Sequence, residues 1–151
     1  MNHKFSIITP AHKNTPYHKE LYDSILAQTY TNWEWILWLN NDIKRDLLPK
    51  EFEEDDRVTI YETDNASKNV GYHKHHAFHK GTGDVLVEVD SDDLIDPKCL
   101  ECLNEAYQNP DVGFAYSDSA IWNDDFVPYK ADHGWTHYPY KFRDKLLTTM
   151  R

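Results

Sequence analysis

The stretch GTGDVLVEVDSDD, residues 81–93, decides how this chain is read. Two glycines, Gly81 and Gly83, precede a short β-branched run from Asp84 to Val89, which predicts a strand covered on both sides. Asp90, Ser91, Asp92 and Asp93 follow it directly. Three carboxylates within four residues repel one another and are costly to hold together without a cation. At the carboxyl end of a strand they would point into the crevice where open α/β sheets bind ligands. Oxygen donors of this kind suit Mg²⁺ or Mn²⁺, which keep coordination positions open for diphosphate oxygens. A solvated acidic turn leading into the next helix is the other reading of these residues alone.

Outward from this motif, strands and helices alternate. Phe5 to Thr9 reads as a strand stopping at Pro10, and Tyr17 to Gln28 as a helix with Leu21, Ile25 and Leu26 on one face. Trp33 to Leu39 is nearly all apolar and ends at the turn formers Asn40, Asn41 and Asp42. Arg57 to Tyr61 predicts a third strand, and Asn69 to Lys80 a helix closed by Gly81 and Gly83. After the acidic motif, Asp96 and Pro97 open a helix running to about Gln108. Val112 to Tyr116 predicts a fifth strand, and Ala120 to Trp122 the start of another. The fold class is therefore α/β, a mostly parallel sheet with helices on both faces. The loops after Thr9, Leu39 and Val89 are the ones that matter for binding.

Composition narrows the function. The chain has 151 residues, enough for one domain and one core, and a net charge of −10. That charge argues against a nucleic-acid partner, which would require clustered Lys and Arg. It leaves room for a single nucleotide whose phosphates share a metal ion. The acidic run from Glu51 to Asp56 reads as solvated surface. The aromatic excess, with five Trp and ten Tyr, reads mainly as core. Cys99 and Cys102 read as ordinary thiols on a helix face rather than a disulfide framework. No apolar run has the length of a signal peptide or a membrane span, so the expected setting is cytoplasmic, without a transmembrane segment.

Four pieces occur together in one order: Phe5 to Pro10, the phrase SILAQTY at residues 24–30, the strand ending at Leu39, and the glycine–strand–aspartate stretch at 81–93. With Asp96-Pro97 and Tyr116-Ser117-Asp118 downstream, this order resembles glycosyltransferase family 2. The resemblance covers roughly residues 4 to 120. It implies a GT-A fold and transfer of a sugar from a nucleotide-diphosphate sugar, expected to be a UDP-sugar, to a hydroxyl acceptor with inversion. Carried over position by position, it implies that Thr9, Pro10, Ala11 and His12 lie against the nucleoside. Asn40 and Asn41 stand where the family usually has acidic residues. An amide can hydrogen-bond a base edge but cannot supply a carboxylate, which puts the base in doubt. Lys74 would meet the diphosphate, Asp92 the ribose or metal, Asp90 either of these, and Ser91 the nucleotide-sugar. Asp92 and Asp93 would ligate Mn²⁺ or Mg²⁺.

On the helix before the motif, His75 pairs with His79 and His76 with His79 on shared faces, the spacing of a zinc half-site with no third ligand in view. His133 and His137 lie among aromatic residues near the end of the chain. The family's catalytic base falls well beyond the acidic motif. Here the strand–helix pattern fades after about Asp124 and the chain stops without an end signal. The expectation is a single GT-A donor-binding domain over residues 1–151, with the acceptor part incomplete and the base beyond Arg151. Asp118, Asp124 and Asp125 are substitutes that read better as turn residues. Two other readings stay open: a non-catalytic nucleotide- or metal-binding module, and an unrelated α/β domain such as a phosphotransfer enzyme.

Overall fold

The computed structural model describes residues 1–40, 43–64 and 69–117. The chain divides into two units, Met1–Gly113 and Phe114–Arg151. Of the second, only residues 114–117 are described, and they form neither helix nor strand.

The first unit contains β1 (Phe5–Ala11), α1 (Tyr17–Leu26), β2 (Trp33–Asn40), a 3-10 turn (Arg45–Leu47), α2 (Glu51–Glu54), β3 (Val58–Thr63), α3 (Val70–Phe78), β4 (Val85–Glu88) and α4 (Cys99–Ala106). The four strands form one sheet in the order β3-β2-β1-β4, and each pairing is parallel. Phe5 pairs with Trp33 on one side and Val85 on the other.

Alternation along the strands sends side chains to two cores. On one face, Phe5, Ile7, Trp33, Trp35, Leu37 and Leu39 pack with Leu21, Tyr22 and Ile25 of α1, Phe52 of α2 and Leu100 of α4. On the other, Ile8, Ile36 and Trp38 pack with Ala77 of α3. Helices thus cover both faces, as the alternating pattern predicts. Much of the aromatic excess is core: the ring of Trp35 stacks on Tyr22 at 5.7 Å and meets Phe52 edge-on at 5.3 Å. Of the acidic run, Glu51, Glu53, Glu54 and Asp56 are exposed and Asp55 is half-buried, while Phe52 among them is fully buried.

Element ends differ from the sequence expectation by one to three residues, and one expected strand is absent among the described residues. β1 continues through Pro10 to Ala11, pairing there with Trp38 and Leu39. Proline fits because pairing to β4 ends at Ile8. Val89 donates to the Ile8 carbonyl, so Pro10, two residues on, faces the same side beyond the end of that ladder. The expected strand Val112–Tyr116 has no regular structure. The expected strand at Ala120–Trp122 lies outside the described residues.

The amino edge of the sheet is tied by Glu34. Its carboxylate accepts from Lys4 Nζ at 2.6 Å, Ser6 Oγ at 2.6 Å and the Thr82 backbone N–H at 2.6 Å. Gly83 donates its N–H to Ser6 Oγ at 2.7 Å, and a Cβ on it would lie 2.5 Å from the Lys4 carbonyl oxygen. Gly83 is thus required by close backbone approach. Gly83→Ala should lower stability by about 2 kcal/mol or more, read as an urea midpoint shift, because the obstacle is backbone and cannot swing away.

Burial raises the Glu34 carboxyl, but the hydrogen bonds from Lys4, Ser6 and Thr82 outweigh it and hold it at about 2, below the usual 4.5. Hydrogen bonds from Arg57 likewise hold Asp55 at about 2 against burial. A depressed carboxyl stabilises the fold above its unfolded value, and that stability is lost as pH falls toward the folded value. Unfolding free energy should therefore drop between about pH 4.5 and 2, and Glu34→Gln should flatten that slope.

Candidate functional site

Parallel strands bring the ends of β1, β2 and β4 to one edge of the sheet, and the expected site residues gather there. Asp90 to Asp93 form a turn closed by the Asp93 N–H donating to the Asp90 carbonyl at 3.1 Å. The Asp90, Asp92 and Asp93 side chains are exposed and Ser91 is half-buried. Burial, then the charges of Asp90 and Asp92, push the Asp93 carboxyl up from its ordinary value. The loop thus holds more negative charge than it neutralises.

Lys74 supplies the nearest cation. Asn69 caps its helix, α3, by accepting from the N–H groups of Gly71 at 2.9 Å and Tyr72 at 3.3 Å. From the middle of α3, Lys74 Nζ donates to Glu88 and lies 3.2 Å from Asp90 Oδ1. The hydrogen bonds to Glu88 and Asp90 raise its pKa and keep it charged. Glu88, which the sequence reading did not single out, is thus part of this charge cluster.

The residues after β1 divide. Thr9 is fully buried, and its Oγ1 accepts from Trp35 Nε1 at 3.0 Å. Its side chain therefore serves the core, and only its backbone is left to meet a ligand. Pro10 is half-buried, Ala11 buried and His12 exposed. Asn40, at the end of β2, is 8% exposed, and its Oδ1 has no hydrogen-bond partner among the described residues. Asn41 lies outside the described residues, as do His133, His137, Asp118, Asp124 and Asp125.

Two further unpartnered polar groups belong to the same edge. Thr15 Oγ1 and both ring nitrogens of His18 are buried without hydrogen-bond partners among the described residues. Buried polar groups without partners are rare in folded proteins and ask for an explanation. One signal could have found His18. It stands in register with Leu21 and Ile25 on the buried face of α1, where an apolar residue is expected.

The α3 histidines turn inward or against each other. His73 Nδ1 accepts from Trp38 Nε1 at 3.2 Å, His76 stacks on Trp38 at 6.0 Å, and His79 Nδ1 lies 2.8 Å from the His75 carbonyl. Among the described residues, no three His, Cys, Asp or Glu side chains converge as a metal cage. The aspartate loop instead fits a hard divalent cation held by one or two carboxylates, with its other positions left to ligand oxygens and water.

A parallel 3-2-1-4 sheet with an acidic loop at the carboxyl edge of β4 is an open α/β fold of Rossmann-like order, and its likeness to the solved structures below gives it the GT-A fold. The family described as "Glycosyl transferase family 2" matches residues 6–149, and the chain belongs to it. A glucosyl-dolichyl phosphate glucuronosyltransferase of Haloferax volcanii is 30% identical over 95 residues, covering 62% of this chain and 30% of that protein. The structure of S. aureus TarS 1-349 in complex with UDP superposes with a TM-score of 0.63 at 20% identity, over 70% of this chain and 32% of that one. The mannosyltransferase PcManGT from Pyrobaculum calidifontis, in complex with GDP-Man and Mn²⁺, gives 0.60 at 18% identity, over 82% and 36%. The chain thus spans about a third of the length of these relatives.

Thr9→Val tests the placement of that side chain. It strands the buried Trp35 indole N–H, which should cost about 1–3 kcal/mol in chemical denaturation. Affinity for any nucleotide should stay within experimental error of the unaltered chain.

Proposed function

We propose that this chain is the donor-binding portion, over residues 1–151, of a metal-dependent glycosyltransferase. It would transfer a sugar from a nucleotide-diphosphate sugar to a hydroxyl acceptor with inversion. The observation that carries this reading is the aspartate loop at the carboxyl edge of β4, whose charge Lys74 only partly offsets, on the same sheet edge as the Asn40 Oδ1 that has no hydrogen-bond partner among the described residues. A UDP-sugar is the favoured donor, since TarS was captured with UDP and with UDP-GlcNAc. GDP-mannose in PcManGT makes guanine the base to test against it.

In this reading Asp92 and Asp93 hold Mn²⁺ or Mg²⁺, Asp90 and Ser91 approach the ribose or the sugar, and Lys74 reaches the diphosphate as a point charge. The cation, when bound, would stabilise the charge that develops on the leaving diphosphate. The Pro10–His12 backbone and Asn40 would shape the nucleoside side, with the Asn40 amide positioned to hydrogen-bond a base edge. The acceptor site and the general base that removes the hydroxyl proton would be supplied outside the described residues. Among those residues no helix is long and apolar enough to cross a membrane. A cytoplasmic setting accords with the free thiols of Cys99 and Cys102.

A specific observation favours one second reading, a binding module without turnover: Asn40 offers an amide where the family resemblance leads one to expect a carboxylate. Calorimetry with UDP and with GDP, each with and without Mn²⁺, followed by a donor-hydrolysis assay, separates the two. Metal-dependent binding with hydrolysis supports the transferase, and binding without hydrolysis supports the module. Asp93→Ala should abolish the metal-dependent part of the binding. An unchanged metal dependence would remove Asp93 from the ligand set.

A further inference from the structure

Helix α1 runs along the segment that follows β4, and its polar side chains fasten that segment in order. Gln28, just past the helix end, donates through Nε2 to the Asp96 carbonyl at 2.7 Å and accepts from the Leu100 N–H at 3.1 Å. The Thr29 N–H donates to the Pro97 carbonyl at 2.8 Å. One turn back, Ser24 Oγ accepts from the Ile95 N–H at 3.4 Å. The row climbs toward the aspartate loop as α1 is read toward its N-terminus.

Nearer the helix N-terminus, on the buried side of α1, stands His18. It shares the buried side of α1 with Leu21 and Ile25, at helical spacings of three and seven. It is 1% exposed, and neither ring nitrogen has a hydrogen-bond partner among the described residues. Burial lowers its pKa, and the opposing influence is the charge of Asp92. A neutral imidazole carries one N–H donor and one acceptor. Buried on the helix that fastens the segment after β4, that donor has no acceptor among the described residues, and the charge that acts on it is that of Asp92. The lower contacts of the row are made and the uppermost is open.

We propose that His18 is a positioning residue for Asp92: it donates a hydrogen bond to the Asp92 carboxylate when nucleotide and cation seat, fixing the aspartate loop against α1. This rests on the donor-site reading above. The loop is fastened at Ile95, Asp96 and Leu100 but lacks a side-chain tie to α1 at Asp92 among the described residues. Closing that contact satisfies a buried donor and orients one carboxylate oxygen, leaving the other for the ligand.

The test compares the full chain with His18→Leu and His18→Gln, using calorimetry with UDP and GDP plus Mg²⁺ and thermal unfolding without ligand. Leucine suits the apolar face, so the His18→Leu midpoint should equal or exceed that of the unaltered chain. Its cation-dependent nucleotide affinity should nevertheless fall about tenfold, the scale of one hydrogen bond to a charged group. Glutamine, which restores an N–H donor, should recover most of that loss. The imidazole nitrogen NMR signals of His18 should also shift on adding nucleotide with Mg²⁺. If His18→Leu binds as tightly as the unaltered chain, or if glutamine recovers nothing, the positioning role is overturned while the donor site stands. If the unaltered chain binds neither nucleotide in the presence of Mg²⁺, the donor-site reading falls and this role with it.

Discussion

Parallel pairing of β1 with both of its neighbours is the constraint on which the rest of the first unit depends. Parallel strands cannot be joined by a tight hairpin, so each connection must cross a face of the sheet. Those crossings carry α1, α2 and α4 to the Trp35 side and α3 to the Trp38 side. A strand covered twice must be apolar on both faces, which is why FSII and WILWL read as runs rather than alternations. The same parallel order sends the carboxyl ends of β1, β2 and β4 to one edge. Residues far apart in sequence, Pro10, Asn40 and Asp90, become neighbours in topology before any ligand is considered.

The two edges of the sheet are finished differently. At the amino edge, Glu34 accepts from Lys4, Ser6 and Thr82, and Gly83 lies directly against the β1 backbone. That edge is closed by hydrogen bonds among its own residues. At the carboxyl edge, Thr15, His18 and Asn40 bury polar atoms without partners among the described residues, and burial together with its neighbours' charges raises the Asp93 carboxyl. Unsatisfied groups and unbalanced charge lower stability, so their concentration on one edge is a cost that binding can recover.

What was legible in the sequence follows from this. The strands could be read because burial on both faces leaves apolar runs, and the aspartate loop because three like charges in four residues have few structural uses. Pro10 misled at the end of β1, since nothing local reveals that β4 stops two residues earlier. Phe52 was lost inside an acidic run because a four-residue helix has too few positions to show a period. The Thr9 hydroxyl could not be assigned to the Trp35 indole, because that bond joins residues 26 apart in sequence. Val112 to Tyr116 has strand composition but no regular structure. His18 went unremarked in the sequence, although a histidine at an apolar helical position is a signal.

The charge arrangement also bears on the proposed function. Glu88, Asp90, Asp92 and Asp93 lie along the end of β4 and the loop after it, and Lys74 pairs with the first two. One ammonium cannot balance this group, and it leaves Asp92 and Asp93 as the pair without a cationic partner among the ion pairs of the described residues. Those two are the carboxylates to which the family resemblance assigns the metal. A bound divalent cation would relieve the repulsion that raises the Asp93 carboxyl. In the proposed donor site, Asp92 and Asp93 would hold the cation, which would supply charge neutralisation, and Lys74, already paired with Asp90, would meet the diphosphate as a point charge.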